Sequence, residues 1–66
     1  MPRWRELKRF CDRDGWDCYK VTDHYYYRKL LSNGEILYTK VPMGSGEIRF
    51  RSRQLRVTQE YFNSKI

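Results

Sequence analysis

The residues best equipped for chemistry lie in one stretch, TDHYYYRK, from Thr22 to Lys29. It holds the chain's single histidine, then three consecutive tyrosines, then two cations. Histidine has an ordinary pKa of about 6.5, so it exchanges protons near neutral pH. RNA can be cut without a metal ion. A base takes the 2′-OH proton, the freed oxygen attacks the adjacent phosphorus, and an acid protonates the departing 5′-oxygen. His24 is the candidate for this chemistry, as base or as acid. Nearby cations stabilise the charge that builds on the phosphorus oxygens, and Arg28, Lys29 and Lys40 are the nearest by register. A lone histidine in a basic domain is also a common surface or packing residue.

The bulk properties narrow the classes. Sixty-six residues make one domain, spanning 1–66, with a small core. The chain carries 14 Lys+Arg against 8 Asp+Glu, a net charge of +6. That excess favours a polyanion as partner, because Lys and Arg displace the counterions condensed on phosphates. An acidic protein would satisfy the same charge. Met1-Pro2-Arg3-Trp4 leads into charged sequence with no apolar leader core, and no run approaches a membrane span. A cytoplasmic protein with free thiols at Cys11 and Cys18 is therefore expected. Two cysteines with six residues between them and one histidine do not make a zinc site, so no metal and no cofactor are expected.

The elements that position His24 can be read along the chain. Trp4, Leu7, Phe10 and Cys11 form an apolar stripe at helical spacing, and Gly15 is a natural stop. Arg5, Lys8, Arg9 and Asp12 make the opposite, solvated face. Trp16 to Val21 reads as a short strand, Thr22-Asp23 as a turn, and His24 onward as a second strand. Asn33-Gly34 predicts a two-residue hairpin turn with both residues at positive φ. A third strand, ILYTKVP, ends at Pro42. That turn pairs Lys29 with Tyr38, Arg28 with Thr39 and Tyr27 with Lys40. One face then holds Tyr26, Arg28, Leu30, Leu37, Thr39 and Val41, the expected core side, with Arg28 awkward upon it. The other holds Tyr25, Tyr27, Lys29, Leu31, Ile36, Tyr38 and Lys40. After a glycine loop, EIRFRSR alternates like a strand while RSRQLRVTQEYFNSKI reads as helix. Thr58 is a candidate cap for a separate last turn.

The resulting order is α-β-β-β-α. It implies a two-layer α+β domain with a three-stranded antiparallel sheet and its helices on one face, the layout of double-stranded-RNA-binding domains. On the second face, Tyr25, Tyr27 and Tyr38 offer flat π surfaces to unpaired bases while Lys29 and Lys40 meet phosphates. Tyrosine and lysine also give a sheet a wettable outer face, and tyrosine anchors protein partners. Arg49, Arg51, Arg53 and Arg56 read as a solvated charged face.

Three segments, WRELKRFCDRDGW, TDHYYYRK and KVPMGSGEI, together resemble the HicA family of toxins over roughly residues 4–48. The shared features are Gly15-Trp16 after the opening helix, His24 entering the second strand ahead of aromatic and basic residues, Val41-Pro42 closing the third, and the glycine loop Gly44 to Ile48. The resemblance implies a small mRNA-cleaving toxin with a double-stranded-RNA-binding-like fold, held silent by a HicB-like antitoxin, with His24 as its essential histidine. Two departures stand out. The family often has Gly-Ser before that histidine, where this chain has Thr22-Asp23. Its last helix is commonly rich in Leu and Ile, where this chain reads RFRSRQLRV. The residues alone also fit a non-catalytic RNA-binding module or a basic protein-interaction domain.

Overall fold

The computed structural model describes residues 3–44, 46 and 52–66. Helix α1 spans Trp4–Arg13, followed by strands β1 (Asp17–Val21), β2 (His24–Leu30) and β3 (Ile36–Pro42) and helices α2 (Ser52–Leu55) and α3 (Gln59–Lys65). The strands form one antiparallel sheet in the order β1-β2-β3. The alternating segment 47–51 lies outside the described residues.

Helix α1 forms where the apolar stripe predicts it. Glu6 accepts the Arg3 backbone N–H at 2.9 Å, which satisfies one of the free donors at the helix start. At the other end Gly15 takes φ +79° and Trp16 N–H donates to Cys11 O at 3.0 Å, closing the helix with a left-handed residue that only glycine adopts without strain. The stripe then faces the sheet. Leu7, Phe10 and Cys11 are buried with Trp16, Tyr27, Leu37, Val41, Leu55 and Phe62 in a single core. All three helices contribute to that core, so they share the inner side of the sheet. Both cysteines are free, Cys11 buried and Cys18 exposed. Burial pushes the Cys11 thiol up to about 12, so it is neutral packing. Among the described residues no helix is long and apolar enough to cross a membrane.

The C-terminal region is two short helices, not one. Arg56 takes φ +59° between them, which ends α2, and the Thr58 hydroxyl accepts the Tyr61 N–H at 3.1 Å to start α3. The Phe10 and Phe62 rings lie 4.9 Å apart and hold α3 on α1. Arg9, on the face expected to be solvated, and Arg13 donate to the Ile66 and Lys65 carbonyls at the end of α3. Thr58→Ala is expected to cost about 1 kcal/mol, read as a thermal midpoint several degrees lower by circular dichroism. An unchanged midpoint would show that the tertiary contacts of α3 hold it without the cap.

The β2–β3 register differs from the expected one by one residue. Leu31 N–H donates to Glu35 O at 2.7 Å and Gly34 N–H donates to Leu31 O at 3.0 Å. Only Gly34 of the turn is at positive φ, +90°. The connection is therefore a three-residue loop, Ser32-Asn33-Gly34, with glycine in the left-handed position. The Asn33 side chain accepts the Glu35 N–H at 2.9 Å and holds that shape. The one extra loop residue moves every pair: Lys29 faces Leu37, Arg28 faces Tyr38, Tyr27 faces Thr39 and Tyr26 faces Lys40. Because side chains alternate with period two, the whole of β2 turns over relative to the expectation, while β3 keeps its predicted sides. Tyr25, Tyr27 and Lys29 face the helices. His24, Tyr26, Arg28 and Leu30 face out, and the awkward buried arginine disappears.

Candidate nucleic-acid interface

The outward face of the sheet is built from cross-strand rows. Lys20, Tyr26 and Lys40 form one, and Asp17, Arg28 and Tyr38 another. Between them β1 carries a bulge at Tyr19, whose ring comes to the same face. The Tyr19 ring centroid is 6.3 Å from that of Tyr26 and 6.2 Å from that of Tyr38. The Arg28 guanidinium lies 4.9 Å from the Tyr19 centroid, and its Nε donates to Asp17 Oδ2 at 3.1 Å. Lys20 Nζ stands 5.3 Å from the Tyr26 centroid. These contacts lay each cation over one face of its ring. Tyr19 is 40% and Tyr38 54% exposed, so the rings stand in solvent and not in the core.

His24 closes this row at the entrance of β2, its ring centroid 6.0 Å from that of Tyr26. Its Nδ1 is buried and lies 3.2 Å from Asp23 Oδ1, an ion-pair distance at an angle short of a directed hydrogen bond. His24, and then the Thr22 hydroxyl that donates to Asp23 at 2.9 Å, hold the Asp23 carboxyl below its ordinary range. Asp23 is therefore charged at neutral pH and presents that charge to Nδ1. Nδ1 lies against Asp23, so Nε2 is the ring nitrogen without that charge beside it.

The residues expected at an RNA surface divide between the two sides of the sheet. Arg28, Tyr38 and Lys40 stand on the outward face with His24. Tyr27 does not: it is 1% exposed, and its hydroxyl donates to Asp12 Oδ1 at 2.7 Å. Burial and Asp12 together push its phenol pKa up. Lys29 also faces inward, donating to the Asp14 backbone carbonyl at 3.0 Å and to Asp14 Oδ2 at 2.8 Å. Tyr25 is half-buried on the helix side, with Lys8 Nζ 4.9 Å from its centroid. Of the C-terminal arginines, Arg56 pairs with Glu35 at 2.6 Å and Arg53 is exposed; Arg49 and Arg51 lie outside the described residues.

Three members of the outward face were not singled out from the sequence: Tyr19, Lys20 and Tyr26. The signal for Tyr26 was available, since moving the charged Arg28 outward carries Tyr26 and His24 with it. For Tyr19 no sequence signal exists, because a bulge has no residue signature here. Among the described residues no group of three or more His, Cys, Asp or Glu is placed to hold a metal ion. No protein-family model matches the chain, and neither a curated protein nor a solved structure does.

Proposed function

We propose that the chain is an RNA-cleaving toxin of the HicA kind: a small mRNA interferase with a double-stranded-RNA-binding-like fold, acting in the cytoplasm and silenced by a HicB-like antitoxin. One observation carries the reading. His24, a quarter exposed and with a carboxylate 3.2 Å from Nδ1, lies on the same outward side of the sheet as Lys20, Arg28 and Lys40. In this mechanism those cations hold the phosphates of the strand. His24 Nε2 takes the 2′-OH proton as base or gives a proton to the 5′-oxygen as acid, and a water molecule carries the other proton transfer. The O2′–P bond forms, the P–O5′ bond breaks, and the products end in a 2′,3′-cyclic phosphate and a 5′-hydroxyl. Lys40, opposite Tyr26 and two residues from His24, stabilises the charge on the phosphorus oxygens, and Arg28, four residues along β2 and held by Asp17, meets a neighbouring phosphate. An antitoxin that covers this face would block strand and histidine together, with the exposed tyrosines as its anchors.

Binding of a labelled RNA strand, measured over a range of salt, tests the electrostatic part. Each phosphate neutralised contributes a log–log slope of about −0.7 on a single strand, so three cations give about −2. The cleavage assay, run with and without a chelator, is expected to yield cyclic-phosphate ends in both. Binding without cleavage would leave a non-catalytic RNA-binding module. Absence of any RNA binding at low salt would leave the protein-interaction reading.

A further inference from the structure

We infer that Tyr26, Tyr19 and Tyr38 form a base-stacking subsite for unpaired nucleotides next to the phosphate at His24, which makes single-stranded RNA, not duplex RNA, the substrate. The inference rests on the RNA-cleaving reading and adds to it where the bases go. The rings of His24, Tyr26, Tyr19 and Tyr38 follow one another across all three strands with centroids 6.0, 6.3 and 6.2 Å apart. Tyr19, Tyr26 and Tyr38 border a shallow hollow of about 200 Å³, completed by Thr39, Lys40 and Gln54. The core lies on the other side of the sheet, so folding does not require a tyrosine cluster here. Tyr19 and Tyr38 are exposed and Tyr26 is half-buried, and a contiguous aromatic patch outside the core favours a binding role.

Charge selects the occupant. Lys20, Arg28 and Lys40 surround the rings, and Arg28 and Lys20 sit within 4.9 and 5.3 Å of two of them. A nucleotide stacked on such a ring brings its phosphate to the neighbouring cation. In duplex RNA the bases are stacked on one another and hidden, leaving only backbone and 2′-hydroxyls to a protein. Rings would then contribute nothing that lysines do not. A row of rings leading to the histidine is useful only to a strand whose bases are splayed out. Stacking tolerates any base, so the subsite orients the strand and sets where His24 cuts, with little sequence preference.

The test compares three fluorescent probes at one salt concentration: a single RNA strand, its duplex, and an abasic strand with the same phosphates. Wild-type protein is expected to bind the intact strand about 10-fold more tightly than the abasic strand, the effect of one stacked base, and more tightly than the duplex. Tyr19→Leu and Tyr38→Leu should each lose about 10-fold on the intact strand, with the abasic affinity and the salt slope unchanged. Equal wild-type affinity for intact and abasic strands, or for duplex, overturns the subsite while leaving RNA binding in place. So does normal binding by folded Tyr19→Leu and Tyr38→Leu proteins. If no probe binds at low salt, the RNA reading itself fails and the subsite with it. The abasic comparison needs no variant, so it stands even if a substitution unfolds the domain.

Discussion

His24→Ala is expected to lower RNA cleavage by at least about 100-fold while leaving RNA affinity nearly unchanged. General acid–base catalysis by one positioned side chain contributes about 10²–10⁴-fold, whereas the proposed phosphate contacts are Lys20, Arg28 and Lys40, which the substitution leaves in place. The imidazole is only a quarter exposed and contacts Asp23 and Tyr26, so circular dichroism must first show that the variant is folded. Single-turnover cleavage of a strand with one defined site then separates chemistry from binding. The same strand with a 2′-deoxy sugar at that site should resist the wild-type protein, because the attacking oxygen is gone. A folded His24→Ala protein that cuts at the wild-type rate would remove His24 from the mechanism. Asp23→Ala should fall between the two, since it removes the charge facing Nδ1 but keeps the imidazole. Expression of the wild type should arrest bacterial growth, and expression of His24→Ala should not.

Asp14→Ala is expected to destabilise the fold by about 3 kcal/mol, the order of cost for breaking a buried ion pair by removing one partner. For 66 residues at roughly 0.05–0.15 kcal/mol each, total stability is about 3–10 kcal/mol, so the variant loses a large share of it. The Asp14 side chain is 4% exposed at the end of α1. Oδ2 accepts Lys29 Nζ at 2.8 Å and Trp16 Nε1 at 3.1 Å, and Oδ1 accepts the Tyr61 hydroxyl at 2.6 Å. One carboxylate thus joins α1, β2 and α3. A negative group at a helix C-terminus is unfavourable by itself, and Lys29, bonded to both the carbonyl and the carboxylate of Asp14, offsets it. Thermal melts should place the variant more than about 10 °C below wild type. A shift of only a few degrees would show that hydrophobic packing carries this junction without the ion pair.

The same residue predicts the acid behaviour. Burial alone would raise the Asp14 pKa. The bonds from Lys29, Tyr61 and Trp16 outweigh it and hold the carboxyl below its ordinary value of 3.8. Asp12 is lowered in the same way: burial opposes it, and Lys8 and Tyr27 prevail. A carboxyl depressed in the folded state binds fewer protons than in the unfolded chain. Its stabilisation is therefore complete above the ordinary value and is lost as pH falls through 3.8 towards the folded value. Wild-type melting temperature should drop steeply below about pH 4, and Asp14→Ala should show a shallower drop over that window.

How far the sequence reached is clearest in residues that share an element. Helix α1, its Gly15 stop, the β2 and β3 boundaries at His24 and Pro42, and the Thr58 cap were all legible. Each depends on contacts within a few residues: a stripe at 3.6-residue spacing, a left-handed glycine, a hydroxyl three residues before the N–H it caps. The sides of β3 were legible too, since Leu37, Thr39 and Val41 alternate cleanly with Ile36, Tyr38 and Lys40. The sides of β2 were not. Its run of aromatic and apolar residues reads equally well in either phase, and the apolar Leu30, 69% exposed, pulled the reading the wrong way.

What the sequence by itself determined is the order of elements from α1 to β3, the basic and aromatic character of the middle strands, and the placing of the one histidine at a strand entrance. Those follow from local propensity and composition, which need no partner across space. The tertiary structure decided which tyrosines are core and which are surface. One loop residue between β2 and β3 sets that phase, and the choice is enforced only when Asp12 and Asp14, delivered by α1, take the Tyr27 hydroxyl and the Lys29 ammonium on the inner side. Two charged anchors from another element thus turn Tyr26 and His24 outward, beside a Tyr19 that a bulge brings to the same face. Such an assignment depends on contacts between residues far apart in the chain, and a pattern of alternation within a single strand does not contain it.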